Sequence, residues 1–109
     1  MRYTKKLPYT DLAVQAWHFY FNFSGDASDM TQAQFEDKSA VANVLEHLSD
    51  ELDGADKTKL LRKVYGVPRR DSVGSRVLCA ALDLCISEQT AWGWIKQANR
   101  YWAEARGVV

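Results

Sequence analysis

The sequence contains few residues that break helices or cross-link chains. Its 109 residues include two prolines, Pro8 and Pro68, and two cysteines, Cys79 and Cys85. The cysteines form no CxxC pair, so we expect free thiols in a reducing, cytoplasmic environment. No run of about 18 apolar residues is present, which predicts that no helix crosses a membrane. No long apolar stretch follows the basic N-terminus, so we expect no secretory signal.

Side-chain sets that would support catalysis or metal binding are also missing. The two histidines, His18 and His47, are distant in sequence and belong to no ligand motif. The acidic segment 26–37 does not match a calcium-binding loop, because Met30 and Thr31 occupy its fifth and sixth positions. No nucleophile–base pattern or phosphate-binding loop occurs. We therefore expect no enzyme, no metal site and no cofactor.

The charge is balanced overall but unevenly distributed along the chain. Residues 1–56 contain four basic and ten acidic side chains, a net charge of −6. Residues 57–109 contain ten basic and four acidic side chains, a net charge of +6. A cationic end can face the phosphates of a nucleic acid. The alternative is that the two halves neutralise each other within one fold.

Apolar residues recur at helical spacing almost throughout, with no strand-like alternation. This pattern predicts a single all-α domain over residues 1–109, a small bundle of about five helices. Residues 1–56 would form its acidic, aromatic N-terminal helices and residues 57–109 its basic part. The predicted helices run from Pro8 or Thr10 to Phe23, from Gln32 to Leu52, from Lys57 to Tyr65, from Val73 to Asp83, and from Glu88 to Arg106.

Capping residues set these boundaries. Thr31 and Gln34 fit a capping box, and Ser72 and Ser87 are strong N-cap residues. Asp56 is predicted to cap the third helix. The predicted stop signals are glycines, namely Gly54, Gly66 and Gly107.

Residues 81–91 carry the most specific signal, because they fit a C-terminal helix-turn-helix. Ala81 is the small residue needed where the second helix crosses the first. Leu84 and Ile86 would pin the two helices together, and Ser87 would start the recognition helix. The apolar face of that helix is predicted to contain Ala91, Trp94, Ile95, Ala98, Tyr101, Trp102 and Ala105.

The opposite face of the recognition helix would then meet double-stranded DNA. Gln89 can read adenine, and Lys96 can read guanine or hold a phosphate. Trp92 either faces DNA or a partner, or is covered by the N-terminal half. The predicted DNA-binding residues are Ser87, Glu88, Gln89, Trp92, Gly93, Lys96 and Arg100, with Arg69, Arg70 and Arg76 as backbone contacts. One such motif buries little surface, so we also expect a homodimer or assistance from RNA polymerase.

The segment Ile86-Ser87-Glu88-Gln89-Thr90 resembles the sigma-factor region that reads the −35 promoter element. Further matching residues lie downstream, namely Trp92, Trp94, Lys96, Ala98 and Tyr101-Trp102-Ala103-Glu104, and upstream, namely Leu61-Arg62-Lys63-Val64-Tyr65. Together with the central segment, they make the chain more similar to phage late-transcription regulators of the ArpU/RinA type. The resemblance covers roughly residues 60–109. It implies a sequence-specific regulator of phage or prophage late genes.

Two positions depart from this family pattern. Cys85 occupies a turn position where glycine is usual, and Gly93 occupies a helix position that often carries a basic residue. Glycine there removes a DNA-contacting side chain.

Two alternative functions stay open, namely a phage packaging component like a small terminase subunit and a module that binds polymerase.

Overall fold

A computed structural model describes residues 9–23, 25, 27–66 and 72–108. These residues form five α-helices and one short 3-10 helix, and no strand occurs among them. The helices are α1 (Tyr9–Asn22), α2 (Gln32–Ser49), α3 (Gly54–Tyr65), α4 (Val73–Asp83) and α5 (Glu88–Arg106), with the 3-10 helix at Ala27–Asp29. The prediction of an all-α bundle of about five helices is confirmed.

Helix α5 is the centre of the bundle and contacts each of the other four helices. Alanines at its inner face, including Ala91, Ala98 and Ala103, are buried and allow the neighbouring helices to approach closely. The largest fully buried side chains are Trp17, Trp102, Tyr65, Leu48, Leu60 and Leu61. Burial of this apolar surface is the main force that holds the helices together.

Buried polar groups in the core are paired across helices. The indole nitrogen of Trp17 donates to Asn99 Oδ1 at 2.7 Å, which links α1 to α5. The indole nitrogen of Trp102 donates to the carbonyl oxygen of Asp37 at 3.3 Å, which links α5 to α2. Because an unpaired buried donor is costly, these bonds favour one arrangement of the helices.

Three predicted N-caps are confirmed. The side chain of Thr31 accepts a hydrogen bond from the backbone N–H of Gln34, whose own side chain completes the capping box. The side chains of Ser72 and Ser87 accept hydrogen bonds from the backbone N–H groups of Ser75 and Thr90, which caps α4 and α5 without a capping box. Helix α5 ends as predicted at Gly107, which has a left-handed φ of 80°.

The boundary between α2 and α3 differs from the prediction. Helix α2 ends at Ser49, and Gly54 is the first residue of α3 rather than a terminator. Asp53, not Asp56, occupies the N-cap position of α3, and its carboxylate accepts no capping hydrogen bond. The physical reason is a close contact: a Cβ at Gly54 would collide with the carbonyl oxygen of Leu48.

The helical spacing of Phe35, Val41, Val44, Leu45, Leu48 and Leu52 predicts an apolar stripe on the second helix, and this stripe is buried at its centre but not at its ends. Val41, Val44 and Leu48 are buried. Leu52 is 86% exposed because it lies beyond the end of α2, and Phe35 is 51% exposed. Helix α2 continues through Ser39 without interruption.

Candidate nucleic-acid interface

Helices α4 and α5 are joined by a tight turn at residues 84–87. Backbone N–H groups of Cys85 and Ile86 donate to the carbonyl oxygens of Leu82 (3.2 Å) and Ala81 (3.0 Å), which closes the end of α4. This hydrogen-bond pattern places one residue in the left-handed region, and Cys85 has a φ of 59°. The residue for which the family resemblance led us to expect glycine therefore adopts the conformation that glycine favours.

The first turn of α5 follows directly from this geometry. The hydroxyl oxygen of Ser87 accepts a hydrogen bond from the backbone N–H of Thr90 at 3.0 Å. Ala81 is buried near the end of α4, and Leu84 and Ile86 pack against the core as partly buried side chains. These contacts set where α5 starts relative to α4.

One face of α5 is buried and the opposite face is exposed. Ala91, Ile95, Ala98 and Trp102 are buried, as predicted. Ala105 was predicted to lie on this face but is exposed. Asn99 and Ala103, which the prediction did not include, are buried. The exposed side carries a line of residues spaced by three and four positions, which we call the α5 outer face: Gln89, Gly93, Lys96 and Arg100.

The α5 outer face is polar, and two of its four residues, Lys96 and Arg100, are cationic. Lys96 makes no ion pair with any other described residue, whereas Arg100 lies 3.6 Å from Glu104 in a solvent-exposed pair. Such pairs are weak and can be replaced by a stronger anionic partner. Ser87 and Glu88 are also exposed, at the N-terminal end of this face.

Trp92 lies between the two faces of α5. It is half-buried and packs against the core, so part of the ring is covered. At the next residue, Gly93, an added Cβ would meet no atom within 4 Å. The centre of the outer face therefore has open space where a side chain would stand.

The structure corrects the expected position of Arg76. This residue was predicted to hold a DNA phosphate, which requires an exposed guanidinium group. Arg76 is only 8% exposed, and its Nε donates to the carbonyl oxygen of Val64 at 2.7 Å. It lies on the inner side of α4 and links that helix to α3. The other predicted backbone contacts, Arg69 and Arg70, lie outside the described residues.

Part of the cationic charge of residues 57–109 is neutralised within the fold. Arg106 contacts Asp37 (2.7 Å) and Glu36 (2.9 Å) of α2, which raises the pKa of the guanidinium group. Lys57 contacts Glu51 at 2.9 Å. The alternative reading of the charge pattern, in which the halves neutralise each other, therefore holds for these two cations.

Sequence reasoning missed a set of exposed cations on α3, namely Lys59, Arg62 and Lys63. Lys63 Nζ lies 3.5 Å from Asp83 Oδ2, in a pair that leaves both side chains exposed. Asp83 is the last residue of α4, so Lys63 lies beside the turn that leads into α5. The spacing of these basic residues at three and four positions was a signal in the sequence.

Neither a membrane-spanning helix nor a metal-ligand cluster occurs in the described part of the chain. None of its helices is long and apolar enough to cross a membrane. No group of three or more His, Cys, Asp or Glu side chains that could hold a metal ion is found in it. Two open clefts of about 270 and 280 Å³ lie between α2 and α5, near His47 and Phe35.

No protein-family model, curated protein or solved structure matches this chain. The resemblance to phage late-transcription regulators therefore stays a prediction from residues 60–109.

Proposed function

We propose that this protein binds double-stranded DNA through the α5 outer face and acts as a transcriptional regulator. One observation carries the proposal: a polar, partly cationic helix face is exposed directly after a tight turn, while the other side of the same helix forms the centre of the core. A rigid helix presented in this way suits the major groove, which is wide enough to admit an α-helix.

The residues of the outer face divide into two roles. Gln89 is near the N-terminus of α5, where a recognition helix contacts base edges, and its amide can pair with adenine. Lys96 can pair with guanine or hold a phosphate. Arg100 and Lys63 are proposed as phosphate contacts, because both are exposed and paired only with exposed carboxylates.

The family resemblance extends this proposal to the regulation of phage or prophage late genes. Two other functions also remain candidates. A packaging component like a small terminase subunit would assemble into a ring. A polymerase-binding module would use the same helices without contacting DNA.

The proposal is tested by fluorescence anisotropy with fragments of the genome that encodes the protein, at low and at physiological salt. Gln89→Ala is expected to cost about 1–3 kcal/mol of binding free energy and to relax the preference at one base position. Lys96→Ala is expected to weaken binding and, if Lys96 holds a phosphate, to reduce the salt dependence by about one ion. Gln32→Ala and Lys38→Ala on α2 are matched controls that should bind normally.

The outcomes separate the candidate functions. Absence of binding to every fragment at low salt would contradict the DNA-reading role. Retention of RNA polymerase by such a non-binding protein would support the interaction module. A large ring in light scattering would support the packaging component.

A further inference from the structure

The outer side of α4 carries an apolar stripe that no described element covers. We call the line Gly74, Leu78 and Leu82, spaced by four residues, the α4 stripe. Leu78 is 46% exposed and Leu82 is 69% exposed. Both point away from the inner side of α4, where Val77, Ala80 and Ala81 are buried. Exposed apolar side chains that lie together, rather than singly, mark candidate contact surfaces.

Gly74 lies at one end of this stripe and leaves open space there. A Cβ added at Gly74 would meet only the hydroxyl oxygen of Ser72, at 4.0 Å. Gly74 has no left-handed φ, so the backbone does not require glycine. No packing within the described chain explains the missing side chain. None of the described residues fills the space above Gly74.

We propose that the α4 stripe is the contact between two copies of this chain, packed antiparallel about a two-fold axis near Leu78. Positions 74 and 82 are equally distant from position 78. A two-fold axis at Leu78 therefore places Leu82 of one copy over Gly74 of the other and brings the two Leu78 side chains together. A large side chain opposite a missing one is self-complementary, as a two-fold contact requires.

The charge distribution favours a second copy over a charged partner. Ser75 and Cys79, which flank the stripe, are exposed and uncharged. Among the described residues, the nearest charged one on the exposed side of α4 is Asp83, which is paired with Lys63 at 3.5 Å. Two copies can therefore approach without like charges of described residues meeting at the centre. Ser75 and Cys79 offer no counter-charge to a strongly acidic or basic partner.

The length of α4 sets the strength of this contact. Its eleven residues span about 16 Å, so the stripe covers far less than the roughly 800 Å² per partner of a standard interface. We expect a weak, reversible dimer that forms with rising protein concentration. The proposal does not depend on DNA binding, although two linked copies would match a palindromic site.

Analytical ultracentrifugation from micromolar to millimolar concentration tests the proposal. The weight-average mass is expected to rise from 12.4 kDa towards twice that value. Leu82→Glu and Gly74→Lys should each weaken self-association at least about tenfold, by burying an unpaired charge. The chain that carries both substitutions should regain association, because the antiparallel arrangement brings the opposite charges together. Leu52→Glu is the matched control, since Leu52 is 86% exposed outside the stripe.

Three results would overturn the proposal. The first is a wild-type protein that stays monomeric at millimolar concentration. The second is a Leu52→Glu variant that loses association as strongly as Leu82→Glu. The third is a double variant that stays as weak as the single ones, which would exclude the antiparallel pairing. All three substituted side chains lie on exposed positions, so the variants should fold, and far-UV circular dichroism checks this.

Discussion

Gly93 is the position on the α5 outer face where a single methyl group has the clearest effect. Gly93→Ala should stabilise the fold by about 1 kcal/mol, because alanine favours the helix and its Cβ meets no neighbour. The free energy of unfolding in denaturant measures this change. Gly54→Ala is the matched control and should destabilise the fold, because its Cβ would collide with the carbonyl oxygen of Leu48. A destabilising Gly93→Ala would contradict the exposed position of this residue.

Cys85 is strained in the turn between α4 and α5. Its φ of 59° costs a residue with a side chain about 1–2 kcal/mol relative to glycine. Cys85→Gly should therefore increase the free energy of unfolding by about 1 kcal/mol. Cys79→Gly, made within α4, should have the opposite sign, because glycine weakens a helix. If both variants lose stability, the turn does not have this conformation.

At the level of elements, helices with strong local signals were predictable from the sequence. Helices α4 and α5 begin after serine caps whose hydroxyl groups bond to backbone N–H groups three residues later, and such signals are local. The start of α3 depends instead on the packing of Gly54 against α2, which no local pattern reveals. The same holds for the site: periodicity predicted the exposed residues of α5, but only the tertiary fold shows that Arg76 is buried.

The packing of α5 predicts different costs for two tryptophans on that helix. Trp102 is 2% exposed and donates a hydrogen bond to Asp37, so Trp102→Ala should cost about 3–5 kcal/mol. Trp92 is half-buried, so Trp92→Ala should cost clearly less. Urea unfolding of both variants measures the difference. Equal losses would show that the two faces of α5 are assigned incorrectly.

A polar cluster joins α3 and α5 to the end of α2 and predicts a pH dependence. Hydrogen bonds from Lys57 (2.9 Å) and Tyr101 (2.7 Å) lower the pKa of the Glu51 carboxyl group. Because the folded pKa lies below the unfolded one, the stabilisation is present at neutral pH and is lost as the pH falls through the folded value. Glu51→Gln should therefore destabilise at neutral pH, on the order of 1 kcal/mol.

Measuring the stability of both proteins at neutral and at acidic pH makes this prediction specific. The stability difference between wild type and Glu51→Gln should shrink in acid, where the carboxyl group of the wild type is protonated. Glu46→Gln removes the same charge from an exposed position of α2 and should change stability little at either pH. A Glu51→Gln effect that is constant with pH would exclude an ionic contribution.

On the scale of the whole molecule, the acidic and basic halves of the sequence are not two separate surfaces. Arg106 and Lys57 turn inward to carboxylates, while Lys96, Arg100 and Lys63 remain exposed near the predicted DNA-binding helices. The net charge of the basic half thus overstates the charge available to DNA. We expect a smaller salt dependence than the net charge of +6 suggests, because cations that are paired with carboxylates release fewer counterions.

The most direct test of the central claim is to map the DNA-binding surface by NMR. A ¹⁵N-labelled protein is titrated with a short DNA duplex at low salt, where non-specific binding is sufficient. The largest changes in amide chemical shift are expected at residues 88–100, above all at Gln89, Gly93 and Lys96, while the amide shifts of α2 should stay unchanged. Absence of shifts, or shifts centred on α1 and α2, would contradict the claim that the α5 outer face reads DNA.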